Sequence, residues 1–172
     1  MSEVSKDARF QFDLQGFIVL RGVLSPDTCD RILETLGRAE DNDYDDSYLD
    51  ILPEGMRALR TKQTEVPHQV RLNGLPQIDP VFDQLIAHPR VVPYLEDFMG
   101  DPQLINTWSI SKSRGTKQGG WHRGVPTTDY SYDRGIIRSR MLNTVWFLTD
   151  NGPHDGSVMA LPGSHKSNID LE

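Results

Sequence analysis

One stretch, from Gln118 to Lys166, limits what this chain can fold into more than any other part of it. It opens with two glycines, a tryptophan and a histidine (Gly119 to His122) and continues into an apolar, strand-like run from Met141 to Thr149. A turn from Asp150 to Gly156 then leads into a second strand-like run, which ends in Pro162-Gly163-Ser164-His165. Two extended runs joined by a turn, with a histidine at their edge, predict the metal-bearing half of a double-stranded β-helix, also called a jelly-roll barrel.

Length and composition narrow the class of protein. The chain has 172 residues, enough for one domain with a hydrophobic core, and we predict a single domain over residues 1–172. Its net charge of −7 disfavours nucleic acid as a partner, because phosphate binding needs a basic surface. No apolar run approaches the roughly 20 residues that span a bilayer. The only cysteine, Cys29, excludes an internal disulfide, and no signal-peptide core precedes it, so we predict a cytoplasmic protein.

The N-terminal region combines helix and strand signals. Residues 1–12 predict a loose segment or a short helical lead-in, and the β-branched run from Gly16 to Val23 predicts a strand. Ser25-Pro26-Asp27 then predicts a helix start, because serine caps free amides and proline suits the first turn. The buried face of that helix is predicted to hold Cys29, Ile32, Leu33 and Leu36, with Cys29 as a core residue.

The middle of the chain predicts further helices before the strands. The acidic run from Glu40 to Asp50 is interpreted as a solvated loop, because it lacks the spacing of a calcium loop. The segment from Ile51 to Leu75 is predicted to be irregular with short helices, and a helix signal follows from Asp79 to Gly100, restarting at Pro89. Leu104 to Lys112 predicts a strand. Helices followed by strands predict an α+β fold, mainly β, with helices packed on the barrel.

Of the five histidines, His122 is the candidate metal ligand. His88 lies between apolar residues at a helix start and is interpreted as structural, and His154 is interpreted as exposed in a turn. His68 carries no assignment from its surroundings. His122 follows two glycines and a tryptophan at a strand edge that a barrel turns toward its mouth, and neutral imidazole is a good ligand for iron, copper or zinc.

The chain resembles the phytanoyl-CoA dioxygenase family along nearly its whole length. The resemblance is carried by Gly16 to Leu20, by the helix beginning at Ser25-Pro26, by Trp121-His122 and by Pro162 to Lys166. The ending G-S-V-M-A-L-P-G-S-H-K-S-N is its most specific part. The resemblance implies a double-stranded β-helix and an Fe(II)- and 2-oxoglutarate-dependent dioxygenase, with iron held by two histidines and one carboxylate. The implied activity is hydroxylation of a small organic substrate, whose identity the fold does not determine.

Residue by residue, the resemblance assigns a partial iron site. His122 matches the first ligand of the family's Trp-His-x-Asp motif, Arg123 matches a position near the co-substrate, and Gly124 replaces the carboxylate ligand. His165 belongs to a turn whose histidine is usually structural in the family, so it is not predicted to bind metal.

Two tryptophans complete the site that the resemblance implies. Trp146 matches a family position beside 2-oxoglutarate, and Trp108 on the preceding strand is predicted to line the same pocket. Packing in the barrel core is the alternative interpretation of both side chains.

Gly124 leaves three interpretations open. The parent protein is a halogenase-like member, in which chloride occupies the vacant iron position; or Asp129 or Asp133 supplies the carboxylate from a flexible loop; or the protein binds a small molecule without catalysis. The family's distal histidine and its 2-oxoglutarate-binding arginine normally lie well beyond the Pro-Gly-Ser-His turn. We therefore expect a fragment truncated at the C-terminus, with open sheet edges, that binds iron poorly by itself.

Overall fold

The computed structural model describes residues 4–40, 69–116, 119–122, 129–152 and 155–169. The helices are α1 (Lys6–Gln15), α2 (Pro26–Glu40), α3 (Leu75–Ile78), α4 (Asp83–Ile86) and α5 (Val92–Met99). The strands are β1 (Gln69–Asn73), β2 (Trp108–Lys112), β3 (Tyr130–Asp133) and β4 (Ile136–Ser139), and single 3₁₀ turns cover Pro80–Phe82 and Ser164–Lys166. Within these ranges, none of the helices combines the length and the apolar character that crossing a membrane requires.

Helix α1 confirms the helical form of the predicted lead-in. It begins where the Ser5 hydroxyl accepts a hydrogen bond from the Ala8 N–H at 3.1 Å. It ends at Gly16, which has φ 84° and donates its N–H to the Phe12 carbonyl at 2.8 Å. Glycine suits this position because a left-handed residue closes the helix without a Cβ clash.

The predicted strand from Gly16 to Val23 is wrong. Gly16 is the left-handed end of α1, and the residues after it pair with no strand among those described. Arg90 instead donates to the carbonyl oxygens of Arg21 at 3.1 Å and Gly22 at 2.5 Å. These carbonyl groups therefore bond to a side chain rather than to a neighbouring strand.

Helices α2 and α5 confirm the two longer helix predictions. At the start of α2 the Ser25 hydroxyl accepts from the Thr28 N–H at 3.2 Å, and Ile32 and Leu36 on its predicted face are buried. Cys29 on the same face is only half-buried, so it lies at the margin of the core. In α5 the Gly100 N–H closes the last turn on the Glu96 carbonyl at 2.9 Å.

Strands β1 and β2 form an antiparallel ribbon with one face in the core. Val70 lies opposite Ser111 and Leu72 opposite Ser109, and both apolar side chains are buried. The strand prediction for Leu104–Lys112 is confirmed for its last five residues, which form β2. The irregular prediction is wrong for Gln69–Asn73, where polar and apolar residues alternate as in a half-buried strand.

Strands β3 and β4 form a hairpin, whereas the sequence analysis placed Asp129 and Asp133 in a flexible loop and made no prediction for Ile136–Ser139. The turn residues Arg134 and Gly135 have φ of 49° and 87°, which matches the left-handed pair of a two-residue type I′ turn. Ile137 is buried against α5, and the hairpin is thereby held on the helix. The loop prediction is therefore wrong for Tyr130–Asp133.

Two hydrophobic clusters form the core of the described residues. The first joins α2 to the β1–β2 ribbon, and the second joins α1, α5 and the β3–β4 hairpin. In the second, the rings of Phe12 and Phe98 stack at a centroid distance of 4.0 Å with 5° between their planes. Buried members of the first are Ile32, Leu36, Ala39, Val70, Leu72, Leu75 and Phe82; those of the second are Val4, Phe12, Phe98 and Ile137.

The described residues form two two-stranded sheets and no closed barrel, and they contain more helix than strand. The predicted strands at Met141–Thr149 and before Pro162 pair with no strand in this part of the chain. Leu142 and Leu148 pack on the two clusters, while Val145 and Phe147 are 47% and 51% exposed. This run therefore has the side-chain alternation of a strand without a bonded neighbour.

Several sequence predictions concern residues outside the described ranges. They include the acidic run beyond Glu40 and the segment from Ile51 to His68. Arg123, Gly124 and His154 also lie outside them. For these positions the sequence interpretations stay predictions.

Candidate functional site

His122, the candidate iron ligand, is exposed in a short segment without regular secondary structure. No group of three histidine, cysteine, aspartate or glutamate side chains that could hold a metal ion occurs among the described residues. The neighbouring Arg123 and Gly124 lie outside those ranges. The described part of the chain therefore presents the imidazole of His122 but not a complete ligand set.

The two aspartates predicted as substitute ligands lie at opposite ends of strand β3. The Asp129 carboxylate is 17% exposed and forms an ion pair with Arg140 at 3.5 Å. Asp133 is 87% exposed at the hairpin turn, 3.9 Å from Arg134. The Asp129 carboxylate is thus paired with an arginine, and the Asp133 carboxylate is exposed to solvent. A metal-binding role for either residue stays a prediction.

The two candidate tryptophans have different neighbours. The half-buried Trp146 contacts His88 with ring centroids 5.5 Å apart, and the Arg71 guanidinium lies 5.0 Å from the centre of the Trp108 ring. His88 also accepts a hydrogen bond at Nδ1 from the Arg90 N–H at 3.2 Å, which fits a role in shaping the turn before α5. The assignment of both tryptophans to a co-substrate pocket stays a prediction.

The best-defined polar cluster lies where the Pro-Gly-Ser-His turn meets the end of α1. The Gly163 N–H donates to the Gln15 carbonyl at 3.0 Å, and this bond ties the turn to the helix. The imidazole of His165 lies directly over Gly16, where a Cβ atom would come within 2.4 Å of its Nδ1. Tyr130 meets the same ring edge-on at 4.6 Å, and Phe12 lies 6.2 Å away.

The electrostatics of this cluster centre on Asp13. Its carboxylate accepts a hydrogen bond from the Tyr130 hydroxyl and lies 3.3 Å from the Lys166 ammonium. The Tyr130 hydrogen bond and then Lys166 hold the pKa of Asp13 below its usual value, although partial burial opposes them. Burial first, and the Asp13 carboxylate second, raise the pKa of Tyr130. Asp13 is therefore the anion of the cluster and Tyr130 a neutral donor at physiological pH.

His165 is held as a neutral ring. Both of its nitrogens are buried and make no hydrogen bond of good geometry among the described residues. Burial and then the Lys166 charge lower its pKa, and the backbone and charge of Asp13 oppose this only in part. The ring packs between α1 and β3, which agrees with the structural role that the resemblance implied.

Sequence reasoning missed Asp13, Gly16 and Tyr130 as parts of this cluster. Gly16 was interpreted as the start of a strand, and Tyr130 lay in a segment interpreted as a loop. One usable signal was present: the alternating run Tyr130–Asp133 is followed at once by Arg134-Gly135, a glycine-containing dipeptide of the length of a two-residue hairpin turn. No local pattern connects Asp13 with Tyr130, because only the packed chain brings them together.

Comparison with known proteins identifies the family. The sequence model of the family described as "Phytanoyl-CoA dioxygenase (PhyH)" matches residues 12–172 of the chain. The chain belongs to the phytanoyl-CoA dioxygenase family. It is also similar to proteins named ectoine dioxygenase: 26% identical over 167 residues to that of Nocardia farcinica, and 29% identical over 161 residues to that of Sphingopyxis alaskensis.

The similarity covers most of this chain but only part of those relatives. The two alignments cover 96% and 91% of the chain and 52% and 48% of the relatives, so the chain spans about half of their length. A third ectoine dioxygenase, from Stutzerimonas stutzeri, is 44% identical over 46 residues, which is 27% of the chain and 15% of that protein. No solved structure matches the chain.

Membership in the family implies a cupin-like fold and, in general, dependence on Fe(II) and 2-oxoglutarate. The described residues do not by themselves fit an iron ion, because they contain no group of three histidine, cysteine, aspartate or glutamate side chains that could hold one.

Proposed function

We propose that this chain is part of an Fe(II)- and 2-oxoglutarate-dependent dioxygenase that hydroxylates a small organic substrate. The observation that carries the proposal is the family match over residues 12–172, which includes both Trp121-His122 and the Pro-Gly-Ser-His turn. The exposed imidazole of His122 supports it, because a ligand histidine must be reachable by the metal. His122 is the proposed first ligand, with Trp146, Trp108 and Arg123 near the co-substrate.

The docked turn adds support from the structure. In the described chain the family's most specific sequence is packed on α1 through Gly163 and His165. This leaves His165 unavailable as a ligand, because its ring is enclosed by Gly16, Phe12 and Tyr130. The second histidine of an iron site would then come from another part of the protein.

Anaerobic binding of Fe(II) and 2-oxoglutarate tests the proposal. The readout is the visible charge-transfer band of the iron–2-oxoglutarate complex, recorded for these 172 residues and, where the gene encodes more, for the full gene product. We expect the full product to show the band, His122→Ala to abolish it, and His165→Gln to retain it. His165 is the matched control because its ring is enclosed by Gly16, Phe12 and Tyr130 and touches none of the residues proposed near the iron or the co-substrate.

The outcomes separate the interpretations of Gly124. A band that changes with chloride concentration favours halogenase-like chemistry, whereas loss of the band on Asp129→Asn or Asp133→Asn identifies a relocated carboxylate. A full product that shows no band, or a band that persists in His122→Ala, contradicts the proposal and favours a non-catalytic small-molecule-binding protein.

Turnover identifies the substrate. Ectoine is the first compound to test, since the relatives carry the name ectoine dioxygenase at 26% and 29% identity. The measurement is succinate formed from 2-oxoglutarate with and without the compound. Succinate that rises with ectoine supports that substrate, and other small organic molecules follow if it does not.

A further inference from the structure

The outer face of the β1–β2 ribbon carries an arginine stacked on a tryptophan. Arg71 lies opposite Ile110 in the register, and Trp108 lies two residues before Ile110 on the same face. The Arg71 guanidinium is 5.0 Å from the centre of the Trp108 ring, within the range of a cation–π contact. Trp108 and Ile110 are 44% and 42% exposed, so an apolar surface lies open beside the positive charge.

Arg71 has no anionic partner among the described residues, in contrast to three other arginines. Arg9, Arg38 and Arg140 each form an ion pair with a carboxylate. Among the described residues Arg71 forms none, and its Nε is buried without a hydrogen-bond partner. A ligand can therefore approach only the terminal nitrogens of the guanidinium, whose charge no described carboxylate pairs with.

The carboxylate of Glu40 lies near the ribbon but bonds to its other face. Glu40, at the end of α2, accepts a hydrogen bond from the Ser111 hydroxyl. Ser111 lies opposite the buried Val70, on the face of the ribbon that packs into the core. Glu40 therefore reaches the ribbon from the side opposite Arg71.

We propose that Arg71 and Trp108 form a binding site for a small carboxylate that carries an apolar group, and this role for Trp108 on the outer face of the ribbon is an alternative to its proposed place near the co-substrate. The planar guanidinium offers two parallel N–H groups that match the two oxygens of a carboxylate, and stacking on the indole holds it in place. The exposed surfaces of Trp108 and Ile110 receive the apolar group. Lys112, exposed on the same face at the end of β2, adds a second positive charge.

The test uses a matched pair of probes and does not involve iron. 3-Phenylpropionate and its neutral amide differ in charge but have the same apolar group. Binding to the 172-residue chain is followed by NMR of the Arg71 Nε–H and the Trp108 indole N–H. We expect the acid to shift both signals and to bind about tenfold more tightly than the amide, because hydrogen bonds between charged groups are stronger than those between neutral ones.

Variants separate the site from general charge attraction. Arg71→Gln should lower the affinity for the acid to that for the amide, and Arg71→Lys should restore only part of it, because ammonium lacks the planar pair of donors. Arg114→Gln, an exposed arginine just beyond β2, is the matched control and should bind as the parent does. Equal binding of acid and amide overturns the proposal, as does retention of acid binding in Arg71→Gln. If a variant does not fold, the NMR shifts of the unmodified chain still test the proposal. Shifts confined to residues other than Arg71 and Trp108 overturn it.

Discussion

Replacing Gly16 by alanine tests how the Pro-Gly-Ser-His turn is held. Gly16 has φ 84°, a conformation that costs a residue with a side chain about 1–2 kcal/mol. The new Cβ would lie 2.4 Å from Nδ1 and 2.7 Å from Cγ of His165, so the ring must leave its position. Weakening its contacts with Tyr130 and Phe12 adds about 0.5–1.5 kcal/mol. We expect Gly16→Ala to lower the free energy of unfolding by about 1.5–3.5 kcal/mol, the sum of the two contributions.

The matched control is Gly22→Ala. Gly22 also has a positive φ, 59°, but a Cβ there meets no described atom within 4 Å. Gly22→Ala should therefore lower the free energy of unfolding only by the cost of the left-handed conformation, about 1–2 kcal/mol. Urea unfolding followed by circular dichroism gives both values. In a His165→Ala background most of the extra cost of Gly16→Ala should disappear, because the ring atoms are gone and only the Cβ of residue 165, 3.1 Å from the new Cβ, remains. Equal losses at Gly16 and Gly22, or an extra loss that persists in full in the His165→Ala background, would refute the close packing of this ring.

Two further predictions concern the same half of the molecule. Burial lowers the pKa of His165 in the folded state, so below the ordinary histidine pKa of about 6.5 the unfolded chain takes up the proton first. The contribution of His165 to the free energy of unfolding should thus be fully present above that pH. It should fall as the pH drops toward the pKa that the residue has in the folded state. Unfolding measured from pH 7.5 to 5 should show a smaller decline in His165→Gln, and an equal decline would contradict the assignment. In the β3–β4 turn, Arg134→Asn should raise the free energy of unfolding by about 0.5 kcal/mol, because asparagine tolerates the φ of 49° better than arginine. A lower urea midpoint for that variant would contradict it.

The accuracy of the sequence predictions depends on the range over which each signal acts. The caps at Ser25 and Gly100 act on amides within one helical turn, and both helices were predicted close to their observed positions. Gly16 gave an ambiguous signal, because a glycine followed by apolar residues fits both a strand start and a helix end. In the structure this glycine ends α1, and the Arg21 and Gly22 carbonyl groups accept hydrogen bonds from Arg90.

Strands were harder to predict than helices because a strand is defined by its partner. The run from Met141 to Thr149 has the alternation of a strand, yet it pairs with no described strand. Strand β1 was missed although its sequence alternates, since its five residues follow a long segment with weak periodicity. A short alternating run becomes a strand only where another backbone supplies hydrogen bonds.

The sequence by itself determined the family, the main helices and His122 as the candidate ligand, because motifs and caps lie in contiguous residues. Only the tertiary structure brought Asp13 to Tyr130, laid His165 over Gly16 and stacked Arg71 on Trp108. These pairs are distant in sequence or lie on different strands, and no local pattern encodes their contact. Their juxtaposition arises because burying the apolar faces of α1, α2 and the two ribbons brings them together.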